Sequence, residues 1–253
     1  MRSFLQLKGG KLDEVKGEVV REQPVVIYVN DQKFVTLLCT PVKLDCLVVG
    51  YLWLEKVIAS LDDIRQLEVS EVDGRADVTL THEVELPSER ILTSGCGGGI
   101  TFRIDPRLFP RVDTRLRVRP EPLFQRMKEL YAAAVNYRAS RGIHGAALTD
   151  GDRLLIVTED VGRHNAVDKI KGEALFRGIP TRDRILLSTG RISSEMLLKA
   201  ARMGVPLVAS RTSPTEMAVA LAEQLGLTVV GYLRPDSLNL YAGDALLVDG
   251  VPA

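Results

Sequence analysis

One stretch of this chain, Ser94-Gly95-Cys96-Gly97-Gly98-Gly99, sets a single thiol among glycines. Glycines leave backbone N–H groups free to face a thiolate and let a partner approach closely. Cys96 is therefore a candidate nucleophile or sulfur carrier, with an incidental surface thiol as the plain alternative. No Gly-Lys-Ser/Thr follows, so the loop is not a phosphate-binding P-loop. Cys39 and Cys46 lie in apolar strand and helix contexts and read as small core residues.

Three other places join a short apolar strand to a helix through polar residues. These are Glu159 to Asn165 with Arg163 and His164, Ser188 to Ser194 with Thr189, Gly190, Arg191 and Ser193, and Ser210 to Thr215 with Arg211 and Ser213. A helix start presents unpaired N–H groups to an anion, and arginine adds a bidentate fork, so together the three could hold a phosphorylated ligand. Ser, Thr, Asn and Pro at helix starts are also ordinary caps. Three arginine-bearing junctions on one sheet edge favour the ligand site.

At such a helix start His164 is expected to stay neutral. His144 enters a strand and either faces the site or serves the fold, and His82 receives no role. Cys96, His144 and His164 match no zinc-ligand spacing, so no metal is expected.

The elements that must position these residues fall into two patterns. From Glu18 to about Leu86 the chain reads as β structure: VVIYV and KFVTLLC form a hairpin around Asn30-Asp31, and QLEVSEV and RADVTLTHEVEL form another around Asp73-Gly74. Between them Thr40-Pro41 is expected to cap and open a helix running to about Ile58. Residues 87 to 120 read as loop and linker. From Pro122 helices alternate with short apolar strands, and strand-helix-strand repeated three times predicts a largely parallel sheet covered by helices. The fold class is α/β with an α+β first part. The expected domains are 1–118, ending in the Cys96 loop and linker, and 119–253.

The 253 residues carry 33 Lys+Arg against 33 Asp+Glu, so no general field draws the chain to nucleic acid or anionic membranes. Three scattered cysteines make no disulfide framework and suit a reducing cytoplasm. The first residues lack an apolar stretch with a cleavage site, and nowhere do eighteen apolar residues run without a charge, so neither export nor membrane crossing is expected. Only 5% of residues are aromatic, which argues against a stacking platform for single-stranded nucleic acid.

TEDVGRHNAVDKIKG, followed by LLSTGRISSEMLLKAARMGVPLVASRTSPTEMAVALAEQLGLTVVGYLR, resembles the FdhD family of sulfur carrier proteins needed for formate dehydrogenase activity. The resemblance runs from about Val19 to Gly243. It implies a homodimer whose second domain is similar to the cytidine deaminase fold. Its members take sulfur from a cysteine desulfurase and pass it to the molybdenum bis(molybdopterin guanine dinucleotide) cofactor before that cofactor enters the formate dehydrogenase catalytic subunit. By position Cys96 matches the persulfide-bearing cysteine, and Tyr232-Leu233-Arg234-Pro235-Asp236-Ser237 matches the segment implicated in holding the guanine dinucleotide. Arg163, Arg191, Arg211 and Arg234, with the hydroxyls of Thr189, Ser193, Ser194 and Ser213, would then engage pyrophosphate and guanosine. A guanine nucleotide is expected to stand in for the cofactor.

This chain departs from the family pattern at Gly99, where the second cysteine of the Cys-Gly-x-Cys loop belongs. A second thiol would attack the persulfide and release sulfide. Without it the electrons for release must come from the acceptor or an outside thiol. A non-catalytic chaperone that binds and delivers the molybdenum cofactor is the alternative. A zinc hydrolase of the deaminase kind lacks its motif: neither the glutamate nor the cysteine pair is present.

Overall fold

Asn30 and Asp31, both in the left-handed region at φ 47° and 65°, turn β3 (Gln23–Val29) into β4 (Gln32–Cys39). That is the backbone a two-residue hairpin demands, and Asn and Asp tolerate it best after glycine. In the computed structural model the described residues are 1–84, 109 and 111–247, together with the backbone of 91–92 and 100–101. β5 (Ile64–Ser70) and β6 (Arg75–Leu80) form the second expected hairpin, and the four strands make one sheet in the order β4-β3-β6-β5. Its apolar face, built on Val25, Ile27, Leu37, Ala76 and Val78, packs on α1 (Leu44–Leu54).

That helix is buried almost all round, since its other side lies along α4 (Arg163–Phe176). The crossing depends on two glycines. A Cβ on Gly50 would overlap the Asp168 carbonyl, and one on Gly172 would overlap the Cys46 carbonyl. The expected opening at Thr40-Pro41 is corrected: α1 begins at Leu44 behind Lys43, whose φ is 53°. Thr40 has other work. Its hydroxyl accepts from Val161 N–H at 3.0 Å, its N–H donates to Asp160 at 3.1 Å, and its carbonyl accepts from Lys169 at 2.9 Å. The Lys169–Asp160 ion pair beside it, 2.6 Å long and fully buried, ties β4 to the start of α4.

The larger sheet contains β9 (His144–Thr149), β10 (Leu154–Asp160), β11 (Ile185–Ser188), β12 (Leu207–Ser210), β13 (Thr228–Gly231) and β14 (Asn239–Ala242). Its order is β10-β9-β11-β12-β13-β14, and only β11–β12 and β12–β13 pair in parallel. The expectation of a largely parallel sheet is corrected to a mixed one. The cause is local: the Asp150-Gly151 turn, with Gly151 at φ 100°, folds β9 back against β10, and β9 then stands between β10 and β11. The three strand-helix-strand crossovers exist nonetheless, through α4, α5 (Ser194–Arg202) and α6 (Glu216–Leu225).

Strand alternation sends Ala146, Leu148, Leu186, Val208 and Val229 to the face covered by these three helices. It sends Ala147, Leu187, Ala209 and Val230 to the other face, under Leu123, Met127 and Leu130 of α2 (Pro120–Ala133). A short α3 (Val135–Ser140) follows. β7 (Ile91–Leu92) pairs with β8 (Ile100–Thr101). One unexpected hairpin, β1 (Arg2–Lys8) with β2 (Lys11–Gly17), leaves most of its side chains exposed. Among the described residues no helix is long and apolar enough to cross a membrane.

Candidate functional site

β10 runs antiparallel to β9, and β9 antiparallel to β11, so β10, β11, β12 and β13 all point the same way. Their last residues, Asp160, Ser188, Ser210 and Gly231, therefore end on one edge, and the three polar junctions and the Tyr232 to Ser237 segment leave from it. His144 reaches the same edge because β9 starts there, opposite Asp160. The loops are tied to one another. Arg211 N–H donates to Ser188 O at 3.1 Å, Ser210 Oγ donates to Gly190 O at 2.5 Å, and Leu233 N–H donates to Ser210 O at 2.9 Å.

Two groups of residues form along this edge. The first surrounds Gly190, where a Cβ would press on the His144 ring and on Arg163 Cβ. Ser193 is the N-cap of α5, accepting from Met196 N–H, and its Oγ lies 2.9 Å from His164 Nε2. The buried Glu195 carboxylate stands 3.5 Å from the same nitrogen. Burial, followed by Lys199 and Arg163, pushes His164 down to about 2, so its ring is neutral at physiological pH. His144 is also pushed down, by burial and then by Arg163. The neutral His164 matches the reading of the sequence, with burial a larger cause than the helix start.

Not every polar residue at these junctions faces outward. Asn165 spends its amide on Leu38 O and on Asp160, each at 2.9 Å, and Thr189 Oγ1 accepts from Gly145 N–H at 3.0 Å. Arg191 is exposed, and Ser194 and Ser213 are half-buried.

The second group opens on a cavity of about 500 Å³ between α2 and the edge loops. Arg211, Leu233, Arg234 and Pro235 line it from the sheet, and Phe124, Lys128 and Tyr131 line it from α2. The Arg211 guanidinium stacks 4.4 Å from the centre of the Tyr131 ring, and Arg234 donates to the Arg211 carbonyl at 2.8 Å. Burial and then the Tyr137 hydroxyl push Tyr131 up to about 12, so it remains a neutral donor. Tyr232, at φ 50°, is exposed beside Arg234, and the Ser237 carbonyl accepts from Arg234 N–H at 2.8 Å. Asp236 is exposed. The contribution of α2 was not anticipated. Its signal was the spacing of Phe124, Lys128 and Tyr131 on one helix face.

Cationic groups, stacking surface and an opening of this size suit a phosphorylated aromatic ligand. Cys96 lies outside the described residues. Cys39 and Cys46 are buried, and burial pushes each up to about 12, so both stay protonated thiols.

The FdhD/NarQ family model matches residues 20–247. The chain belongs to the FdhD/NarQ family. It is 36% identical over 247 residues to the sulfur carrier protein FdhD of Bacillus subtilis (strain 168), covering 95% of this chain and 94% of the relative. It is 40% identical over 246 residues to the protein of that name in Bacillus pumilus (strain SAFR-032), covering 95% and 94%. Among solved structures, a protein described as a formate dehydrogenase accessory protein from Desulfotalea psychrophila superposes with a TM-score of 0.80 at 29% identity, over 98% of each chain. In this FdhD/NarQ chain the family match spans the three edge junctions, the Tyr232 to Ser237 segment and the α2 cavity.

Proposed function

We propose that this chain is a sulfur carrier that serves formate dehydrogenase, taking sulfur from a cysteine desulfurase on Cys96 and passing it to a molybdenum bis(molybdopterin guanine dinucleotide) cofactor held at the sheet edge. The observation that carries the reading is the convergence of Arg211 and Arg234 with Phe124, Lys128 and Tyr131 on one cavity. It supplies cations for pyrophosphate and rings for a base where the junctions carrying Arg211 and Arg234 meet α2. The names of the relatives support the sulfur chemistry.

In the loading step the Cys96 thiolate attacks the terminal sulfur of the desulfurase persulfide. The donor S–S bond breaks, the donor cysteine leaves as a thiolate, and a persulfide forms on Cys96. Delivery breaks the new S–S bond and moves its terminal sulfur to the molybdenum centre, which is the substrate here. Release as sulfide consumes two electrons. With Gly99 in place of a second cysteine, an external thiol supplies them and ends in a mixed disulfide with Cys96. The protein works as a cytoplasmic homodimer, with a second half built like the cytidine deaminase fold.

Complementation tests this reading. Cys96→Ala is expected to leave formate dehydrogenase inactive in a strain lacking its own carrier, and full activity would refute sulfur carriage. Gly99 favours one second reading, a chaperone that holds the cofactor until insertion. GDP binding that survives Cys96→Ala, with no cyanide-reactive sulfur on the wild-type chain after treatment with desulfurase and cysteine, would establish it.

A further inference from the structure

A second cavity of about 500 Å³ lies at the far end of α5 from Ser193, where the C-termini of α1 and α5 meet. Trp53, Val57, Ile58 and Phe109 supply apolar walls, and Lys56 and Arg202 supply charge. The Lys56 ammonium stands 5.8 Å and the Arg202 guanidinium 4.9 Å from the centre of the Phe109 ring. Among the described residues neither cation has an ion-pair partner within 4 Å; Arg202 lies in the field of the buried Glu55 carboxylate, yet its own buried Nε has no hydrogen-bond acceptor.

The other polar groups at the rim are occupied. Asp63 accepts from Ala59 and Ser60 N–H, Trp53 Nε1 donates to Ala59 O, and His82 Nε2 lies 3.0 Å from Val57 O.

The backbone sets Lys56 at the rim of this cavity. Lys56 follows α1 in the left-handed region at φ 61°, where glycine is favoured and a side chain costs about 1 kcal/mol. The left-handed position is the cap of α1, with Lys56 N–H donating to Trp53 O at 3.0 Å and Val57 N–H to Leu52 O at 2.8 Å, and a basic residue there answers the helix dipole. The exposed Lys56 ammonium thus stands over the aromatic wall, beside a guanidinium whose buried Nε lacks an acceptor. Lys171, buried 3.5 Å from the centre of the Trp53 ring, holds the indole in place.

We propose that this cavity is a second binding site, for a small aromatic anion whose ring packs against Trp53 and Phe109 and whose acidic group lies between Lys56 and Arg202. A bare inorganic anion leaves the apolar walls wet, and a neutral aromatic leaves Lys56 and the buried Nε of Arg202 without an acceptor, so both halves of the ligand are required.

Trp53 is the only tryptophan in the chain, so its emission reports on this cavity. Titration of the full chain with phenyl phosphate is expected to shift that emission saturably. Inorganic phosphate is expected to bind about ten-fold more weakly or worse, having no ring to bury. Lys56→Gly and Arg202→Gln are each expected to weaken phenyl phosphate about ten-fold, the loss of one charge-assisted contact. Lys56→Gly relieves the strained backbone and folds at least as well as the wild type, so its result stands even if Arg202→Gln is unstable. Arg234→Ala, at the sheet edge, is expected to leave the titration unchanged. The proposal is overturned by an unsaturable or absent response, by equal binding of inorganic phosphate, by an unaltered titration in Lys56→Gly, or by loss of binding in Arg234→Ala.

Discussion

Arg234 and Arg211 reach the α2 cavity from different loops and are fixed differently. Arg234 is held by a backbone carbonyl and Arg211 by the face of Tyr131. Each retains donors for a phosphate, and a hydrogen bond to a charged group contributes roughly 1.5–3 kcal/mol. Arg234→Ala is therefore expected to weaken GDP about ten- to hundred-fold in calorimetric titration. Unchanged affinity would remove this cavity from the nucleotide site. A second residue links stability to pH. Burial pushes Glu55 from 4.5 up to about 7, against the pull of Lys199 and Arg202. The folded chain thus binds that proton more tightly than the unfolded one. The stability it contributes is full below 4.5 and is lost as pH rises through 7. Glu55→Gln is expected to flatten this fall, which amounts to up to about 3 kcal/mol, in urea denaturation across the same range. A slope that stays the same would assign the loss to other groups.

The α1–α4 crossing joins the first part of the chain to the helix that carries Arg163 and His164. It tolerates no side chain at either contact glycine. Gly172→Ala is expected to cost about 3 kcal/mol by overpacking, despite the better helix propensity of alanine, with a lower urea midpoint as the readout. Neither glycine was identifiable from sequence as a contact, since helical spacing says which face is apolar and not how closely another helix approaches. Other elements were readable. Asn30-Asp31 and Asp73-Gly74 announced their hairpins because few residues accept such turns, and the crossovers through α4, α5 and α6 followed from alternating apolar runs. Thr40 misled because its capping chemistry serves equally well to clamp β4 onto Val161 and Lys169. The β1–β2 hairpin went unnoticed because its strands alternate no core face, being exposed on both sides.

At the scale of the whole molecule, the direction of four strands gathers the chemistry, and that much was written in the residues. Arginines and caps at helix starts recur after β10, β11 and β12, and three crossovers of one kind place such starts on one edge. The insertion of β9 between β10 and β11 was not written there, because hydrophobic periodicity does not name a strand's neighbour. It brings His144 to the edge, against Gly190. The helical spacing of Phe124, Lys128 and Tyr131 puts them on one face, but not against Arg211 and Arg234, which they meet only once α2 packs beside the edge loops. In the proposed function Cys96 is the working thiol, since the two core cysteines are held protonated by burial. Intact mass spectrometry before and after incubation with cysteine desulfurase and cysteine tests this most directly. The account predicts a gain of one sulfur that maps to Cys96, is removed by cyanide and is absent from Cys96→Ala; no gain, or sulfur that maps to Cys39 or Cys46, would contradict it.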